Sequence, residues 1–257
     1  MTGVSAAPLD PENLHPALWR AQQWARARAA VSPTGFAALD AQLPGGGWPH
    51  QALTECLLPH PGVGEMRLLA PVMAALTQQG RTVMWVGPPA SPCAWGLQQL
   101  GVDVQAVVVV RGRDEARDEV RHVKRRPLLA SADVLWALEQ ALRSGHVGAV
   151  VAWLPDTLRA ETMRRLQLAA QAHEGWAVII RSMAVRSKPS PVPLRMIMRP
   201  AGADSVWVQV IKRRGPTHAQ PVQLNLPPVV PALAARAAAT LESAGAQPDQ
   251  PRTPLAA

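Results

Sequence analysis

The sequence predicts an α/β fold built on a doubly wound, mostly parallel sheet with an antiparallel extension at one edge. Three observations lead there. Short apolar runs such as Thr82–Val86 and Val147–Leu154 alternate with amphipathic stretches, the order that lays helices on both faces of a parallel sheet. Hydrophobic residues make up 48% of the 257, enough to bury the core of one sizeable domain. Two later runs, Leu194–Arg199 and Ser205–Lys212, alternate more regularly and suit antiparallel strands.

Taken in order, residues 1–30 form an N-terminal segment. Its first thirteen residues are rich in Pro and Ala. Residues 14–30 then read as a helix, with Leu14, Leu18, Trp19 and Ala25 as an apolar stripe against Arg20, Arg26 and Arg28. Trp19 and Trp24 are candidate partner contacts, because Trp is enriched at binding hot spots. The alternative is a helix folded back onto its own domain.

The core is expected over residues 31–228. Pro33, Gly35, Pro44, the run Gly45-Gly46-Gly47 and Pro49 punctuate short elements before a strand at Ala52–Leu58. A helix over Met66–Gln79 ends at Gly80. The strand Thr82–Val86 stops at Gly87-Pro88-Pro89, and a short helix over Ala94–Leu100 stops at Gly101. Val104–Val110, unbroken and rich in β-branched residues, is expected to be a strand covered on both faces. A helix at Asp133–Arg143, a strand at Val147–Leu154, a helix at Thr162–His173 and a strand at Trp176–Ile180 complete the alternation. Trp85, Trp153 and Trp207 lie in apolar runs and are expected in the core. Residues 229–257 form an Ala- and Pro-rich tail, with a helix near Leu233–Leu241 and a disordered end expected.

Charge points to a polyanion or an acidic partner. The net charge is +8, and only Lys124, Lys188 and Lys212 among the 26 basic residues are lysines. Arginine grips phosphate in a fork, although a GC-rich genome would also enrich Arg, Ala and Pro. The stretch 111–126 interleaves Asp114, Glu115, Asp118 and Glu119 with its arginines, as a solvated helix or an insertion does. The loop Arg181–Lys188 has no such acids. Cys56 and Cys93 are far apart, and the seven histidines show no ligand spacing, so neither a metal nor a cofactor is expected. With no basic, apolar leader and no apolar run near the roughly 20 residues of a membrane span, a soluble cytoplasmic protein is expected.

Several segments carry a resemblance in a shared order. PTGFAALDAQLPGGGWPHQALTE (Pro33–Glu55) resembles the lead-in to the RecA core, where a TG-x3-LD element and a Gly-rich turn precede the first strand. LGVD (Leu100–Asp103), ALEQALRSG (Ala137–Gly145) and VQVIKRRG (Val208–Gly215) follow in register with it. With LHPALW near the start, the set most resembles the ImuA family, the RecA- and SulA-related component of bacterial mutagenic translesion cassettes, over about Val31–Leu226. The resemblance implies a RecA-like sheet.

At the positions where that resemblance would place an ATP site, the side chains are wrong. A phosphate loop needs G-x4-G-K-[ST]. Here Gly62 and Gly64 are present, but Pro59 takes the first glycine position, Glu65 the lysine position and Met66 the hydroxyl position. Exchanging an ammonium for a carboxylate turns an attraction of about 4 kcal/mol near ~4 Å into a repulsion of similar size. Trp153 stands at the strand position of the magnesium-binding Asp, with Asp156 beyond Pro155, and Pro88 and Pro89 replace the water-activating glutamate. ATP hydrolysis is therefore not expected.

The resemblance also implies partners. These are an ImuB-like protein, an error-prone DNA polymerase III α-type subunit, RecA and single-stranded DNA, in a nucleoid-associated adaptor. Arg181, Arg186 and Lys188 follow a strand near where RecA carries a DNA-contacting loop. Lys212, Arg213 and Arg214 end a strand that in RecA reaches the neighbouring subunit. Both groups are candidate DNA or partner contacts. An active recombinase-type ATPase and a SulA-like inhibitor of cell division that binds FtsZ are the alternatives.

Overall fold

The computed structural model describes residues 30–112, 132–215 and 220–229. The expected N-terminal helix with Trp19 and Trp24, most of the charged stretch 111–126 and the expected tail helix lie outside the described residues.

Within them the chain is α/β, with a mostly parallel, mixed sheet of eight strands and a small antiparallel sheet of two. In chain order the elements are β1 (Val31–Ser32), α1 (Ala37–Asp40), β2 (Trp48–Pro49), β3 (Leu53–Leu58), α2 (Glu65–Gln78), β4 (Thr82–Val86), α3 (Ala94–Gln99) and β5 (Val107–Val110). After the next described residues begin, α4 (Ala132–Arg143), β6 (Val147–Trp153), α5 (Ala160–Gln171), β7 (Trp176–Ser182), β8 (Leu194–Pro200), β9 (Ser205–Lys212) and β10 (Val222–Asn225) follow. The large sheet runs β10-β9-β8-β3-β7-β6-β4-β5. The six strands from β8 to β5 are parallel. β9 and β10 are antiparallel to their neighbours.

Helices cover both faces of the parallel part. On one face Leu68, Met73 and Leu76 of α2 and Leu97 of α3 pack on Cys56, Val83, Val151 and Val178. On the other, Leu138 and Leu142 of α4 and Met163 and Leu166 of α5 pack on Val150, Ala152 and Ile179. The central strands β3 and β6 are buried along their whole lengths, which explains their near-continuous apolar runs.

The lead-in segment is tied down by its polar residues. The Asp40 carboxylate accepts the Thr34 N–H at 2.9 Å, and the Thr34 hydroxyl accepts the Phe36 N–H at 3.0 Å. Gly35, at φ +86°, lies so close to Pro71 of α2 that a Cβ would come within 2.5 Å of the ring. The spacing between TG and LD thus closes one turn against α2. Trp48 of β2 stacks on Trp176 of β7, centroids 6.3 Å apart, which anchors the small sheet to the large one.

Four expectations are corrected. Val104–Ala106 is a 3-10 turn, its N–H at Gln105 capped by Asp103, so the strand is only Val107–Val110. That strand lies at the edge, with Val108 and Val109 exposed instead of covered on both faces. Trp85 and Trp153 are buried as expected, but Trp207 is 43% exposed. It alternates with Val206 and Val208, which take the core side of β9. Finally, β8 pairs in parallel with β3, so the antiparallel extension begins only at β9.

Two histidines make stability depend on pH. His50 bonds to the Ser32 hydroxyl at 2.8 Å, and His173 is buried behind it. Burial is the main cause that lowers both pKa values from the ordinary histidine range, with Arg81 adding repulsion. Folding therefore disfavours protonation of both rings, whereas the unfolded chain takes up protons near pH 6.5. Stability should be complete above that value and fall as the pH drops below it. Guanidinium midpoints measured from pH 7.5 down to 5.5 should decline, and a flat series would refute the claim.

Candidate functional site at the carboxyl edge of the sheet

In open α/β sheets, ligands bind beyond the carboxyl ends of the strands, where the strand order reverses. Here β3 lies between β7 and β8, and its connection through α2 leads past β7 and β6 to β4. The turn leaving β3 carries Pro59, His60 and Pro61, then Gly62, Val63 and Gly64. Gly64 caps α2 in the left-handed region at φ +114°, and a Cβ there would come within 2.5 Å of Leu226. Only glycine suits both demands.

Glu65 opens α2 and is almost fully buried, at 4% exposure. Its carboxylate accepts the Gly62 N–H at 2.9 and 3.1 Å and the Gly64 N–H at 3.1 Å. A helix N-terminus and successive free amides favour an anion. The chain supplies that anion from its own side chain. Two residues later, Arg67 locks the helix to the far end of the extension. It donates to the carbonyls of Leu226 at 2.9 Å and Pro227 at 2.7 Å, and pairs with Asp204 at 2.6 Å.

Two cavities flank this turn. One, about 420 Å³, is lined by Leu58, Pro59, His60, Trp153, Asp156 and Arg181 among others. The second, about 330 Å³, is bounded by Gly62, Glu65, Met66, Trp85, Pro88, Pro89, Cys93 and Trp153. Pro59, Gly62, Gly64, Glu65, Met66 and Trp153 are thus brought to one edge. Trp153 is buried, its ring set edge-on to Trp85 with centroids 5.7 Å apart. Beneath the turn, burial and the nearby Glu65 and Glu55 carboxylates push the Cys56 thiol far above its usual range, which favours the protonated thiol. Among the described residues no group of three or more His, Cys, Asp or Glu is arranged to hold a metal ion, and no helix is long and apolar enough to cross a membrane.

The basic candidates divide. Arg181 is 6% exposed and points inward, donating to Glu55 at 3.1 Å and to the carbonyls of Pro155 at 3.2 Å and Asp156 at 3.4 Å. Arg186 and Arg214 are exposed. Lys188 reaches the Asp156 carbonyl at 3.2 Å, and Lys212 reaches the Ser190 carbonyl at 2.7 Å, which brings the loop after β7 and the end of β9 together. Arg213 donates to the Gln42 carbonyl.

Sequence reading passed over the hub behind this arrangement. Glu55, wholly buried on β3, accepts from Arg181 and from the Arg195 Nε. Arg195 also donates to the carbonyls of Val185, Arg186 and Lys188, and so pins the loop 183–188 onto the sheet. The available signal was a lone acid in the strand Leu53–Leu58 and a lone arginine in LRMIM, each a charge inside a buried run.

Comparison with known proteins follows the same edge. The family model described as "Cell division inhibitor SulA" matches residues 57–177, from the end of β3 into β7. Relatives include the cell division inhibitor SulA of Edwardsiella piscicida, 35% identical over 41% of this chain and 52% of its own length. That of Pectobacterium carotovorum is 31% identical over 44% of this chain and 58% of its own. Protein ImuA of Caulobacter vibrioides is 30% identical over 60% of this chain and 59% of its own length. Over this region the chain is similar to both SulA and ImuA proteins. It spans between about half and three fifths of the length of these relatives. Neither family name denotes an enzyme.

Proposed function

We propose that the chain is a non-catalytic, RecA-like adaptor in damage-induced mutagenic translesion synthesis. It links an ImuB-like protein to RecA, to DNA or to both, with the error-prone polymerase III α-type subunit in the same assembly. The Caulobacter relative named ImuA, which is matched over more of this chain than the SulA relatives quoted above, supports the process.

One observation carries the non-catalytic part. If the turn Pro59–Glu65 is a degenerate phosphate loop, the amides of Gly62 and Gly64 that would meet a phosphate are already held by the Glu65 carboxylate. A triphosphate would have to displace a buried anion while bringing more negative charge to the same spot. No lysine at position 65, hydroxyl at position 66 or acid at position 153 would compensate it. Calorimetry with ATP and magnesium should detect no binding at micromolar affinity, and tight magnesium-dependent capture would end this reading. Co-purification with an ImuB-like protein tests the adaptor role. Trp19→Ala combined with Trp24→Ala should abolish capture if the N-terminal segment supplies the contact.

A second reading is favoured by the SulA family model over residues 57–177. The chain would then inhibit cell division through FtsZ. Overexpression that yields filamentous cells, with direct FtsZ capture, would support this reading over the first.

A further inference from the structure

One face of the antiparallel extension is covered near Ile211, which packs with Ile197 and Val185 of the loop after β7, but among the described residues it is exposed around Trp207. Val206, Val208 and Val210 of β9 enter the core, so Trp207, Gln209 and Ile211 lie on the opposite side. The helices of that side, α4 and α5, pack on β3, β4 and β6. Trp207 is directly opposed by Arg199 on β8 and by Gln223 on β10, and all three are exposed. Opposed side chains in such a ladder stand about 5 Å apart at Cβ, so they form one row.

Charge selects the occupant. Between residues 183 and 229 the sequence holds seven lysines and arginines and one acid, Asp204. Arg67 already neutralises Asp204. Arg199 makes no ion pair among the described residues. At the other end of β9, five residues or about 17 Å from Trp207 at the usual rise per residue, stands Lys212, with Arg214 two residues beyond it and with Lys212 bonded to the loop that bears Arg186 and Lys188. A flat aromatic ring beside one arginine, with further cations along the strand and no unpaired acid among the described residues from 183 to 229, suits a chain of phosphates whose bases are unstacked. A duplex hides its base faces and would leave the ring without a partner.

We propose that this face binds single-stranded nucleic acid, with a base stacked on Trp207, Arg199 on an adjacent phosphate and the cations at the end of β9 guiding the strand. The proposal deepens the DNA arm of the function given above and stands apart from the ImuB-like contact.

The test is fluorescence anisotropy with the full chain and a fluorescein-labelled oligothymidylate of about 15 nucleotides at low salt. Trp207→Ala should weaken binding about tenfold or more, the range expected for losing one base stack, while Trp207→Phe retains most of it. Arg199→Ala should weaken binding and flatten the salt dependence. Trp136→Ala, at the exposed tryptophan of α4, should change nothing. Equal affinity for wild type and Trp207→Ala would overturn this surface and leave DNA binding intact. No binding by the wild type would remove the surface and the DNA arm together, leaving the ImuB-like contact to its own co-purification. Unchanged oligonucleotide affinity with lost protein capture in Trp207→Ala would make the face a protein interface and overturn the proposal.

Discussion

Replacing Glu55 with alanine is expected to destabilise the fold by about 3–5 kcal/mol, the usual cost of stranding a buried charge. The carboxylate is wholly buried and is the acidic partner of two buried guanidinium groups, Arg181 and Arg195, at 6% and 7% exposure. Without it two cations remain inside with only carbonyl partners. Glu55→Gln keeps the volume and one acceptor but not the charge, so its effect should also be large. Urea or guanidinium unfolding followed by tryptophan fluorescence reads both. A local consequence should accompany the global one. Arg195 holds the carbonyls of Val185, Arg186 and Lys188, so trypsin should cut after Arg186 sooner in Glu55→Ala than in the wild type. Midpoints within experimental error of the wild type would mean that the pair of arginines is solvated after all.

Glu65→Ala is expected to cost about 2–3 kcal/mol, because hydrogen bonds to a charged acceptor contribute more than neutral ones. The loss should stay below that at Glu55. Gly62 is exposed and Gly64 partly so, and water can reach the released amides. Glu65→Lys should be worse than alanine, since it sets a cation against the positive end of α2. It should also fail to create a nucleotide site, because Met66 and Trp153 still offer no magnesium ligand. Thermal melts rank the variants, and calorimetry with ATP and magnesium checks the second point. A Glu65→Lys protein that is stable and binds ATP at micromolar affinity would show that one side chain alone separates this turn from a working phosphate loop.

The placement of part of the candidate site is legible in the sequence. The residues Pro59, Gly62, Gly64, Glu65, Met66 and Trp153 were singled out from spacing and resemblance, and they do meet at one edge. The direction in which side chains turn was less legible. With no acids nearby in sequence, Arg181 is expected to be an outward cation, but it is buried. Its partner, Glu55, lies 126 positions away, beyond the reach of any local pattern. An apolar run places Trp207 in the core, whereas the alternation of Val206, Val208 and Val210 puts it on the other face. The edge valines at 108 and 109 were misjudged because β-branched composition reports strand formation and says nothing of where in the sheet the strand ends up.

The chain by itself determined most of the strands and helices of the doubly wound part, since periods of 2 and 3.6 and the breaks at Gly80, Gly101 and Gly145 act within a few residues of each other. It also determined which charges are scarce near the carboxyl edge. Tertiary structure alone decided that Glu65 reaches back to its own turn, that Glu55 gathers two arginines, and that Trp207 is left exposed on the extension. Each of these depends on strand order and on which helix covers which face, and crossovers between distant segments set both.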